Sequence, residues 1–132
     1  IEKLKPWLDS ELTLPALAHR LGTNRTTLSS LIRNMGYANF NAFLNMHRTE
    51  TFKQKLCERL TTILREEEKV SAVQQRARKT DLLALGYESG FKSPSTFYRS
   101  VNQYEKLTPS DYLQKTLQDM EHQAIERRTG RN

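Results

Sequence analysis

A single cysteine, Cys57, rules out an intrachain disulfide, and its setting in "FKQKLCERL" holds no second Cys or nearby His for a metal. At helical, apolar spacing it reads as a buried thiol. His19, His47 and His122 fall in unrelated segments, so no metal or acid–base cluster is expected. No Gly-rich phosphate loop, metal-ligand spacing or paired nucleophile and base occurs. The chain is therefore read as a non-enzyme, with no catalytic residue, no metal and no cofactor. It also has no apolar run long enough to cross a bilayer, and "IEKLKPWLDS" resembles neither a signal nor a transit peptide. A cytoplasmic protein without membrane contact is expected. The first residue is Ile1 and not Met, so the chain reads as a piece of a longer protein whose sensor portion lies upstream.

Glycine and proline are scarce as well, at five and four in 132 residues, and no alternating strand pattern competes with apolar spacings of three and four. The class is all-α, and the length allows one compact domain or two very small ones. "TLPALAHRL" opens with Thr13 as N-cap and Pro15 in the first turn, puts Leu14, Leu17, Ala18 and Leu21 on one face, and stops at Gly22. A second helix starts near Arg25 with Leu28, Leu31 and Ile32 inward and Thr26, Ser29, Ser30 and Arg33 on the opposite side. Later, "KTDLLALGYESGF" gives a short helix stopped at Gly90. Ser93 caps and Pro94 begins the next, whose apolar side is Phe97 and Val101 while Ser95, Thr96, Arg99, Asn102 and Gln103 face away. Thr108 caps a last helix with Pro109 at its first position and Asp111 in its first turn; it runs to about Arg128, with a fraying tail over 129–132.

The two hairpins are one pattern written twice. Gly22 set on Gly90 brings Ala18 onto Gly86 and Leu28 against Phe97, with one extra residue in the second turn. A helix-turn-helix needs a small residue where its helices cross and a turn residue that tolerates positive φ. Its second helix needs hydroxyl, amide and guanidinium groups that bond base edges and phosphates. Charge agrees with such a partner: 21 Lys and Arg against 15 Asp and Glu give a net +6. Neither Asp nor Glu occurs in 25–34 or 92–103, where a carboxylate would repel phosphates.

"ESGFKSPSTFYRSVNQYEKLTPSDYLQ" resembles the signature of the AraC/XylS family of bacterial transcription regulators: a Gly-Phe, a Ser-rich turn, an aromatic and an Arg, then a Thr-Pro and a Tyr, in that order. "LTLPALAHRLGTNRTTLSSLIRNMGYANFNAFLNMHR" is similar to the family's first helix-turn-helix and the start of its connecting helix. The resemblance implies two helix-turn-helix subdomains, homeodomain-like three-helix units at 1–40 and 80–128, joined by a linker helix over 41–79, with recognition helices in neighbouring major grooves. Carried over, Thr26, Ser29, Ser30 and Arg33 face bases in the first reader and Ser95, Thr96, Arg99 and Asn102 in the second; Arg25, Lys92 and Ser93 suit phosphates. Phe91, Phe97, Tyr98 and Tyr112 are expected to pack. Val101, Asn102 and Gln103 replace an aromatic and two basic residues of the family. A Gly that precedes the family's Thr-Pro is replaced in "YEKLTPS", so a different turn is expected there.

The linker is longer than the resemblance leads one to expect, with an apparent insertion around 58–78. One helix over 41–79 would span about 60 Å at about 1.5 Å per residue, against roughly 34 Å between successive major grooves on one DNA face. It must bend, fold back or pair with another chain. Leu56, Leu60, Ile63, Val70 and Ala77 fall near heptad spacing, with Glu67 and Gln74 interrupting. A coiled-coil or swapped dimer is one reading; a surface excursion with "REEEK" in solvent is preferred.

The expected function is sequence-specific binding of double-stranded DNA in a bacterial regulator, nucleoid-associated. RNA polymerase and a second copy, paired through the linker or an upstream domain, are further candidate partners. The alternative is a helical interaction or dimerisation module that has lost DNA reading.

Overall fold

A computed structural model describes residues 4–129, which form helices and turns with no strand among them. The chain is all-α. A single 3₁₀ turn, Pro6–Leu8, precedes α1 (Leu14–Arg20), α2 (Arg25–Asn34), α3 (Phe40–Glu66), α4 (Val70–Arg78), α5 (Leu82–Glu88), α6 (Pro94–Glu105) and α7 (Pro109–Thr129). Residues 1–3 of the expected first subdomain and 130–132 of the expected fraying tail lie outside the described residues; Thr129 still belongs to α7.

Side-chain caps start the helices where the sequence places them. Thr13, Ser93 and Thr108 accept from the backbone N–H of Ala16, Thr96 and Asp111 at 3.3, 3.3 and 3.1 Å. Asn24, Asn39 and Asp81 do the same for Thr27, Ala42 and Ala84, at 2.8, 2.8 and 3.0 Å. The turns end α1 and α5 in one way. Gly22 and Gly90 take φ of 71° and 103°, donating to His19 O at 3.1 Å and Tyr87 O at 3.0 Å. The next N–H, of Thr23 or Phe91, reaches back to the carbonyl of Ala18 or Gly86, at 2.9 and 3.1 Å. This pair of bonds satisfies the carbonyls that a helix end leaves open.

Two apolar clusters result. Trp7, Leu12, Leu17, Ala18, Leu28 and Ile32 form the first with Phe43 and Leu44 of α3. Phe52, Leu56, Leu60 and Ile63, further along α3, form the second with Val73, Ala77, Phe91, Phe97, Val101, Leu113 and Leu117. α3 thus serves both.

The linker folds back. α3 has 27 residues, about 40 Å at about 1.5 Å per residue; the chain breaks at 67–69 and α4 returns against it. Glu66 and Glu67 of the acidic run hold Arg76 of α4 at 2.7 and 3.2 Å. The surplus residues pack back on the chain through Leu60, Ile63, Val73 and Ala77, while Arg65, Glu66, Glu68 and Lys69 of "REEEK" are exposed as expected. Leu56, Leu60, Ile63 and Ala77 are wholly buried within this chain while Val70 is 68% exposed, so the five make no common seam for a second copy.

Three packing expectations are corrected. Cys57 is exposed, because α3 buries the face through Phe52, Leu56, Leu60 and Ile63 and Cys57 points elsewhere. Leu31 is 46% exposed, since Leu28 and Ile32 alone fill the buried side of α2. Tyr98 is 48% exposed, one position round α6 from the buried Phe97. Before Thr108 the chain turns without a glycine: Lys106 itself adopts φ 62° and its N–H donates to Asn102 O at 2.9 Å.

The segment before α1 straps the halves together. Trp7 stacks on His47 at 4.4 Å between ring centroids, and its indole N–H donates to Thr51 Oγ1 at 2.8 Å. Buried Arg48 donates Nε to Trp7 O at 2.7 Å and an Nη to Asp9 O at 2.9 Å. Across the strap, Gly90 fits so closely that an added Cβ would sit 2.0 Å from Trp7 O.

Candidate nucleic-acid interface

α2 and α6 carry the expected site residues because each buries one stripe, Leu28 and Ile32 or Phe97, Ser100 and Val101, and leaves the rest outward. On α2, Arg25, Thr26, Ser30 and Arg33 are exposed and Ser29 is half-buried. On α6, Ser95, Arg99 and Asn102 are exposed and Thr96 is half-buried. Ser93 is committed to the helix start: its hydroxyl accepts Thr96 N–H and donates to Thr96 Oγ1 at 3.1 Å. Lys92 is exposed and pairs with Glu11 at 2.9 Å. Neither 25–34 nor 92–103 contains a carboxylate.

A cleft of about 490 Å³ opens between the strap, the first turns of α3 and α6. It gathers Lys92, Thr96 and Arg99 from the expected set. It also gathers Asn41 and Asn45 of α3 and Gln103 of α6, with Arg48 among its lining. No residue of α2 lines it, so the cleft joins part of α6 to α3 and leaves α2 apart. Burial lowers the Arg48 pKa from its ordinary value, partly opposed by the charge of Asp9; the guanidinium keeps its proton at any physiological pH. Arg99 also borders a groove on the other side of α6, with Tyr98, Asn102 and Ser110.

The other end of α6 is clamped. Lys53 of α3 bonds Glu105 at 2.7 Å and Glu50 at 3.1 Å. Burial works against the lysine's charge, but these carboxylates outweigh it and raise the pKa. Tyr104 Oη donates to Ala42 O at 3.4 Å. α6 is thereby held to α3 at two points near its C-terminal end.

No family model matches the chain, and no curated protein sequence matches it. A solved structure does: it is 21% identical with a TM-score of 0.58, covering 82% of this chain and 84% of the other, a protein of unknown function from Listeria innocua. That likeness is one of fold.

Asn41, Asn45 and Arg48 were not legible as site residues in the sequence. "NFNAFLNMHR" does show Asn41 and Asn45 at i, i+4, uncharged and polar at the start of a helix. What it could not show is that the strap and α6 converge there. Among the described residues no group of three or more His, Cys, Asp and Glu gathers to hold a metal, and no helix is long and apolar enough to cross a membrane.

Proposed function

We propose that the chain binds double-stranded DNA sequence-specifically, as the paired helix-turn-helix reader of a bacterial transcription regulator of the AraC/XylS kind. One observation carries the reading. Two hairpins with the same turn bonds, from Ala18 to Thr23 and from Gly86 to Phe91, each present a helix whose outer face holds hydroxyl, amide and guanidinium groups. Such faces suit the major groove, where Arg33 and Arg99 can each grip a guanine edge bidentately. Arg25 and Lys92, near the helix starts, suit flanking phosphates. The work is binding without a catalytic step, and the place of action is the bacterial nucleoid.

Selection from a randomised duplex library, with recovered sites titrated over a range of salt, tests it. Two short motifs about one helical turn apart are expected. Arg33→Ala should relax one motif and Arg99→Ala the other, each at about 1–3 kcal/mol for a lost bidentate contact. Sequence-blind binding that vanishes with salt would defeat the reading.

The rival is a helical interaction module, and one observation favours it: Leu31 and Met35 are 46% and 45% exposed on α2, beside the proposed reading face. Salt-insensitive capture of a protein, with no duplex selected, would establish it instead.

A further inference from the structure

The cleft between α3 and α6 has a composition that base reading alone does not demand. Asn41 and Asn45 stand one turn apart on α3, facing Lys92, Arg99 and Gln103 across the opening. No carboxylate lines it. Arg48 adds charge to the wall, but its Nε and one Nη are held by the carbonyls of Trp7 and Asp9, so it is a fixed cation and not a moving contact. Two acids bear on these cations from the strap. Asp9 acts on Arg48 through its charge. Glu11 holds Lys92 at 2.9 Å with both side chains about two-thirds exposed (67% and 68%), a pairing weak enough for an incoming anion to replace.

We propose that this cleft is a seat for a phosphate group, with Lys92 and the fixed Arg48 supplying charge and the carboxamides of Asn41, Asn45 and Gln103 supplying neutral donors. A tetrahedral phosphate presents oxygens in several directions and suits donors arriving from separate chain segments, whereas a planar carboxylate is satisfied by a single fork. Neutral amides add hydrogen bonds without adding a charge to desolvate. The cleft, about 490 Å³, has room for a phosphate carried on a larger molecule as well as for the bare ion. Two sources share this chemistry. A backbone phosphate of duplex DNA would place the linker helix in the complex, and in that form the inference rests on the DNA reading above. A free phosphorylated small molecule would occupy the seat without it.

The test follows the side-chain amide signals of Asn41, Asn45 and Gln103 by nuclear magnetic resonance in the full chain. Inorganic phosphate is titrated against chloride at matched ionic strength, and a selected duplex is titrated separately. Saturable movement with phosphate, absent with chloride, is expected. Asn45→Asp, which sets a carboxylate in the cleft, should weaken it at least tenfold. Glu11→Gln, which frees Lys92, should tighten it a few-fold; a dispersed backbone spectrum checks that each variant folds. If the duplex moves the same amides and phosphate competes, the source is the DNA backbone. If phosphate saturates the cleft and no duplex moves any signal, the seat serves a free ligand and the DNA reading fails alone. If the duplex moves α2 and the outer face of α6 while the cleft amides stay still with both probes, the seat is wrong and the DNA reading stands. Undiminished phosphate binding by folded Asn45→Asp would also overturn the seat.

Discussion

In the first hairpin the position four residues before the turn glycine is Ala18, and a Cβ added at Gly22 would meet nothing within 4 Å. In the second it is Gly86, where an added Cβ would sit 3.0 Å from the Phe97 ring, and Gly90 lies against the Trp7 carbonyl. The turn bonds are alike, yet the reasons for glycine differ. Gly22 answers to backbone conformation only. Gly90 answers to conformation and to a neighbour that cannot move without detaching the strap. A motif repeated in sequence can thus be held by one constraint in one copy and by two in the other.

That contrast can be broken by substitution. Gly90→Ala is expected to cost the most, roughly 2–5 kcal/mol, from left-handed strain plus displacement of the Trp7 anchor. Gly22→Ala should cost only about 1–2 kcal/mol, the strain alone. Equal losses in denaturant melts would show that the strap contributes nothing to the second turn. Gly86→Ala should fall between them, about 1–3 kcal/mol, as Phe97 is pushed from its place. Its signature is a lowered denaturation midpoint without a changed slope.

Lys106→Gly works in the opposite direction. Lysine at φ 62° carries a left-handed cost that glycine lacks, so the exchange should stabilise by about 0.5–1 kcal/mol, measurable as a raised midpoint. The smallest effect is alkaline. Tyr104 and Tyr112 both lie in the second half, and burial raises the pKa of each above its ordinary 10.0. Their folded forms hold the proton longer than the unfolded chain does. That stability is complete below pH 10 and declines as pH rises through the raised values. Tyr112→Phe should blunt the decline in melts taken across that range.

Much of this was legible beforehand. The caps at Thr13, Ser93 and Thr108, the stops at Gly22 and Gly90, and the all-α class follow from local chemistry, since a cap or a positive φ is decided within a few residues. The proposed reading faces on α2 and α6 also came from spacing alone, although Leu31 and Tyr98 proved exposed. The strap was not legible. Nothing near Trp7 announces that its carbonyl meets Gly90 or that its ring lies on His47, because those contacts join distant segments. The same holds for Cys57, Asn41 and Asn45, whose surroundings are set by how α3 rotates among its neighbours. The heptad-like row from Leu56 to Ala77 left a coiled coil and a surface excursion both open, and in the fold Leu56, Leu60, Ile63 and Ala77 are buried against the rest of the chain while Val70 is exposed.

α3 supplies Phe43 and Leu44 to one cluster and Phe52 through Ile63 to the other. An α-helix resists twisting along its axis, because rotation of one turn against the next strains successive backbone bonds. The phase between its two buried stripes is therefore an angle written into the chain. Inserting one residue between Leu44 and Phe52 would turn one half about the other by about 100°, whereas inserting seven would nearly restore the phase and lengthen the separation by about 10 Å. The linker behaves as a torsion bar as well as a spacer, and the relative heading of the two outer helices is set by counting residues along it.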